Sequence, residues 1–144
     1  MKQAITAFTI SLLLATGMSA QAQPAPDTLF QALGKEAGIS QIVDELIKLL
    51  MQDERIKTSF KETDMRRLAV LLKEQFCVIS GGPCKYTGDD MKVVHENLGI
   101  KAAQFNALAE DLQIAMDKLS ISSATQNKLM AKLAPMKRDI VIVK

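Results

Sequence analysis

Apolar residues recur every three or four positions along four stretches of this chain, and residues that start or stop helices flank each stretch. Such a repeat leaves little room for anything but a bundle of amphipathic helices. Ile42, Val43, Leu46, Ile47 and Leu50 form one stripe, with Asp44, Glu45 and Lys48 turned elsewhere; Ser40 is placed to cap this helix, which should end near Asp53. Thr63 and Asp64 open a second, carrying Met65, Leu68, Leu72, Phe76 and Ile79, and Gly81-Gly82-Pro83 closes it. A third runs through Phe105, Leu108, Leu112, Ala115 and Leu119. The fourth holds Leu129, Leu133, Met136 and Ile140 behind Ser123-Ala124-Thr125-Gln126, which has capping-box spacing, and Pro135 should kink it or end it early. Two shorter helices are expected. One is capped by Asp27 or Thr28, passes through Leu29, Phe30 and Leu33, and stops around Gly34 to Gly38; the other spans Asp89 to Leu98 and is closed by Gly99. Aromatic residues make up only 4% and Trp is absent, so the residue types that favour sheets are scarce, and the fold class reads as all-α.

At 144 residues the chain suits one domain. Its formal charge of +2 is spread over interspersed acids and bases, which gives no single-sign field for holding nucleic acid. Lys2 precedes an apolar stretch from Ala4 to Ala15, and Ala20-Gln21-Ala22 supplies a small-x-small cleavage pattern. Residues 1–22 are therefore expected to be a signal peptide, with a domain over 23–144. The apolar run is shorter than the ~20 residues that cross a bilayer, so no membrane span is expected after cleavage, and the protein should be periplasmic or secreted.

A single His excludes sites that need two imidazoles, and Cys-x-x-Cys, Gly-x-Ser-x-Gly and phosphate-cradling glycine loops are absent. His95 sits between Val94 and Leu98, where it can face an apolar interior as the one strong metal-ligating side chain, or simply be a hydrogen-bonded core residue. Cys77 lies late in a helix and Cys84 follows the Gly81-Gly82-Pro83 turn, so the chain can double back between them in an oxidising compartment. A disulfide is the leading reading. The alternative, a redox-active thiol pair, lacks thioredoxin-like spacing.

Taken together, Phe60, Gly81-Gly82-Pro83, Tyr86-Thr87-Gly88, Met91, Val93-Val94 before His95, Leu98-Gly99-Ile100 and Phe105 resemble the group I truncated haemoglobins, over nearly all of residues 28 to 142. The resemblance implies a two-over-two helical sandwich around haem b, with His95 as the proximal iron ligand. It implies that Phe60, Leu68, Leu72, Tyr86, Met91, Lys92 and Phe105 lie against the cofactor, with Tyr86 and Lys92 as partners of the propionates. Leu71 stands where a basic residue is common in the family. On the distal side the family's usual tyrosine falls on Ile47 and its usual glutamine on Leu72, and Leu68 completes an apolar set. These three should face one cavity with only hydrocarbon, so the donor that would hold bound dioxygen is missing. Met51 and Met65 lie one turn from Ile47 and Leu68 and could offer a thioether to iron, although Met more often fills cores.

The implied function is reversible binding of a diatomic gas (O2, NO or CO), as in oxygen binding or transport, rather than catalysis. A rival reading is a haem enzyme that detoxifies nitric oxide or peroxide with an unidentified electron donor, although an apolar distal set offers such chemistry no polar group. A third is a haem-free helical interaction protein, in which His95 would be plain core.

Overall fold

The computed structural model describes residues 28–141. The leader read at 1–22, the boundary at 23 and Asp27 as a cap lie outside the described residues. Thr28 closes a reciprocal capping box on helix α1 (Leu29–Ala32): its hydroxyl accepts from Gln31 N–H at 3.3 Å, and Gln31 Oε1 accepts from Thr28 N–H at 3.2 Å. Gly34, at φ +80°, stops α1, and α2 follows at once over Lys35–Leu50. Helix α2 thus starts before Ser40, and Gly38, expected in the stop, lies inside it. A Cβ on Gly38 would sit 2.0 Å from the Leu33 carbonyl oxygen, so bare backbone is what lets the end of α1 press against the first turn of α2. The Ser40 hydroxyl donates to Asp44 at 3.3 Å instead of capping.

A 3₁₀ turn over Lys57–Phe60 leads to α3 (Met65–Ile79), whose cap Asp64 accepts from the Arg66 and Arg67 amides at 3.0 and 3.1 Å. Helix α4 is only Met91–His95, capped by Asp90 on the Lys92 amide at 2.8 Å, and so is shorter than the Asp89–Leu98 expected. Helix α5 spans Ala102–Lys118. Helix α6 (Ser123–Leu133) is capped by Ser122, one residue before the expected box, while the Gln126 amide is used on Asp117 Oδ1 at 2.6 Å and the Ile121 carbonyl at 2.9 Å. Pro135 ends α6 in a 3₁₀ turn (Ala134–Met136), and a last turn, α7, covers Lys137–Ile140.

The core is built where the stripes meet. Ile39, Ile42, Val43 and Leu46 of α2 bury against Phe76 of α3, Leu112, Ala115 and Met116 of α5, and Leu129 of α6. Full burial of each such large side chain contributes at most about 1.5–3 kcal/mol. Helix α2 packs on both α3 and α5, and α6 packs on both of them in turn, which is the two-over-two sandwich. Helix α4 stands outside this square and packs on α7. A disulfide joins Cys77 to Cys84 with the Cα atoms 5.9 Å apart, so the nearby trio Glu36, Cys77 and Cys84 offers no free thiolate to a metal. Among the described residues no helix is long and apolar enough to cross a membrane.

Candidate functional site

His95 is the last residue of α4, half-buried, and it lines a cavity of about 80 Å³ together with Phe60, Leu98, Ile100, Phe105 and Leu108. Its Nδ1 lies 2.7 Å from the carbonyl oxygen of Met91, one helical turn earlier. A carbonyl can only accept, so Nδ1 carries the hydrogen, and in the neutral ring the Nε2 lone pair is left free. This is the orientation a carbonyl imposes on a metal-ligating histidine. The ring of Phe105 has Lys137 Nζ 5.5 Å from its centroid, which ties α7 across this side of the site. The wall also carries the polar residues Ser59, Thr63 and Gln104, and the Gln104 amide donates to the Ser59 hydroxyl at 2.8 Å.

A second cavity, about 270 Å³, also uses α4 as a wall and is lined by Gln75, Tyr86 and Met91 among others. The Gln75 amide reaches Met91 Sδ at 3.5 Å and Met136 Sδ at 3.8 Å. The Tyr86 hydroxyl donates to the Asp89 carbonyl at 3.3 Å, and burial, reinforced by Asp89, pushes its phenol above the ordinary range.

The structure therefore gathers Phe60, His95 and Phe105 at one cavity and Tyr86 and Met91 at the other, while Lys92 is exposed on α4 and lines neither. The apolar trio differs from expectation. Ile47, Leu68 and Leu72 are half-buried on α2 and α3, and neither cavity has any of them in its wall. Leu72 shares a face with Phe76, four residues on, and Ile47 follows Val43 at the same interval, so burial of that stripe draws both to the edge of the main core. Met51 is 48% exposed past the end of α2, and Met65 packs on the small cluster of Leu50, Ile56 and Ala107, so neither thioether lines the His95 cavity.

Residue-type reasoning missed the Met91 carbonyl, since a backbone partner leaves no trace in side-chain identity. It also missed Asp111, buried on α5 with Oδ2 unpartnered, although its spacing from Ala107 and Ala115 puts it on the buried stripe. Burial, reinforced by Asp53, raises the Asp111 carboxyl above its usual range.

One oriented imidazole, two aromatic rings and walls that are mostly hydrocarbon are a set suited to haem. The profile of the bacterial-like globins matches residues 28–142 of the chain. This chain belongs to that family. Among curated relatives, the group 1 truncated haemoglobin of Tetrahymena pyriformis is 27% identical over 116 residues, covering 81% of this chain and 96% of its own length. That of a Nostoc species is 30% identical and covers 79% and 97%. The crystal structure of the Tetrahymena pyriformis protein in its Fe(III) form superposes with a TM-score of 0.77 at 26% identity, over 79% of this chain and 97% of that one. The 2/2 haemoglobin of Synechococcus, in the cyanomet state with covalently attached haem, shares the fold at TM-score 0.74, covering 79% and 98% at 24% identity. As a member of the bacterial-like globins the chain is a haem-binding globin, and binding of diatomic gases is typical of that family.

Proposed function

We propose that His95 Nε2 would hold the iron of a haem b and that the globin would bind O2, NO or CO there, with Ile47, Leu68 and Leu72, half-buried on α2 and α3 and outside both cavity walls, as the apolar side chains that meet the ligand once haem is bound. The observation that carries this reading is the 2.7 Å contact from His95 Nδ1 to the Met91 carbonyl, which leaves Nε2 as the free donor at an apolar cavity. When bound, haem supplies an iron centre that accepts a small diatomic molecule. The Met91 carbonyl holds the tautomer and the tilt of the imidazole; Phe60 and Phe105 keep water from it; Lys92 and Tyr86 lie on the α4 side, where they can meet the propionates.

The three aliphatic side chains donate no hydrogen bond, so a ligand that develops negative charge is held no better than a neutral one. This favours reversible binding over nitric oxide or peroxide turnover, which needs polar assistance. The Cys77–Cys84 bridge supports a life in an oxidising compartment, hence export to the periplasm or beyond. His95→Ala tests the reading. The variant should lose most of its haem on gel filtration and lose the histidine-ligated ferrous absorption spectrum; full haem retention with an unchanged spectrum would overturn it.

A further inference from the structure

Between α3 and α4 the chain runs from Ser80 to Asp90 without regular secondary structure, and then delivers His95 on a helix of five residues. A helix that short is not stable by itself. Nor does burial place it, since Val93 is 64% exposed and Leu98, just beyond its end, is 57% exposed. Beyond its packing on α7, polar tethers from α3 fix where α4 stands. Glu74, on α3, accepts from both the amide and the hydroxyl of Thr87, each at 2.8 Å. Arg67 Nη2 adds longer contacts to the Thr87 hydroxyl at 3.3 Å and carbonyl at 3.4 Å. Thr87 lies three residues before the α4 cap and eight before His95.

Arg67, Leu71, Glu74 and Val78 recur at four-, three- and four-residue steps, which makes one stripe on the side of α3 opposite the buried Phe76. Leu71 lies under the loop: a Cβ on Gly88 would come within 3.0 Å of it and within 2.3 Å of the Tyr86 hydroxyl, so glycine lets the loop lie flat on the helix. The disulfide ties down the other end of the loop at Cys84. The Thr87 hydroxyl and amide also hold the Glu74 carboxyl below the usual carboxylate range, so it is ionised at neutral pH.

We infer that Glu74 is a positioning residue: by clamping Thr87 to α3 it sets where α4 presents His95. The inference depends on the reading of His95 as iron ligand, and it assigns Glu74 a role distinct from that of the disulfide, which constrains the loop at Cys84 but not at the α4 end.

The test compares Glu74→Ala, Glu74→Gln and His95→Ala in the haem-loaded, disulfide-bonded protein. Three quantities are read: the iron–imidazole stretching band of the ferrous form, the rate of haem loss to an acceptor apoglobin, and amide hydrogen exchange. Glu74→Ala should shift the band, speed haem loss about tenfold, the equivalent of about 1.4 kcal/mol, and raise exchange over residues 86–95 while α2 and α5 stay protected. Glu74→Gln keeps an acceptor oxygen for Thr87 and should fall between wild type and Glu74→Ala; it carries the test if the alanine variant does not hold haem. A wild-type band, rate and exchange in both Glu74 variants overturns the inference, as does exchange raised equally in α2 and α5. If His95→Ala keeps the iron–imidazole band, the ligand reading itself falls and takes the inference with it. If His95→Ala loses the band while the Glu74 variants behave as wild type, the positioning role alone is refuted.

Discussion

The helices α2 and α5 and the segment that carries α4 are held in place by different physics. Ile42, Val43, Leu46 and Met116 are at most 2% exposed, and hydrocarbon contact from several directions defines their positions. Around α4 the apolar side chains Val93, Val94 and Leu98 are exposed, and besides packing on α7 its position comes from discrete tethers: a disulfide, the Glu74–Thr87 pair, the Gln75 amide on Met91 and the Asp90 cap. A core built from many small contacts tolerates the loss of any polar bond but not of a large side chain. A tethered segment is the reverse, and its adjustments can reach the imidazole without disturbing the sandwich.

The sharpest way to break this contrast is Leu46→Ala. Truncating a 2%-exposed core leucine should cost about 3 kcal/mol in urea unfolding. A loss under about 1 kcal/mol would mean that the α2 interface is looser than its burial implies. Reducing the Cys77–Cys84 bridge, or replacing both cysteines by serine, should cost about 2.5 kcal/mol from the freed unfolded chain, and exchange should rise in the loop before it rises in α2. Equal exchange in both regions would erase the distinction.

The ligand side responds more gently in energy and more visibly in rate. Ile47→Tyr introduces a hydroxyl where the proposed distal wall has none, and a hydrogen bond to a ligand that bears charge is worth about 1.5–3 kcal/mol. Stopped-flow release of oxygen should slow about ten- to a hundredfold, and release of CO far less. If wild type already retains oxygen and the substitution changes nothing, another donor enters the pocket.

The smallest effect belongs to Asp111, the polar group inside the apolar half. Burial, with Asp53 and Glu110 beside it, raises its pKa in the folded state, so its ionised form opposes folding above the ordinary carboxylate range. Asp111→Asn should therefore stabilise the protein by about 1 kcal/mol at neutral pH. The gain should begin to shrink as the pH falls to the raised pKa of Asp111 and vanish only below the ordinary carboxylate range, where the group is protonated in the folded and unfolded chain alike; thermal melts at several pH values read this directly. A variant less stable than wild type at neutral pH would show that the carboxylate has a partner.

Helical class and most element positions were legible from spacing and caps, because a buried stripe at three- and four-residue intervals has no other regular solution; Asp64 at α3 and the Pro135 interruption behaved as their chemistry dictates. Element starts were less legible. Ser40 looks like a cap and Gly38 like a stop, yet the close approach of the Leu33 carbonyl makes Gly38 a helix residue.

The same division holds at the site. Residue identity alone singled out His95 as the one imidazole, and the ordered run of motifs from Phe60 through Gly81-Gly82-Pro83, Tyr86-Thr87-Gly88, His95 and Leu98-Gly99-Ile100 to Phe105 carried the family likeness. Only the folded arrangement decided which nitrogen of His95 is free, where Ile47 and Leu72 turn, and that Glu74, to all appearance an ordinary charge on a helix, grips Thr87 thirteen residues on. Periodicity records which face of a helix avoids water, since that is a local property of the sequence. A backbone carbonyl's partner, or a carboxylate's choice of loop, depends on how distant segments come together, and no single residue type encodes it.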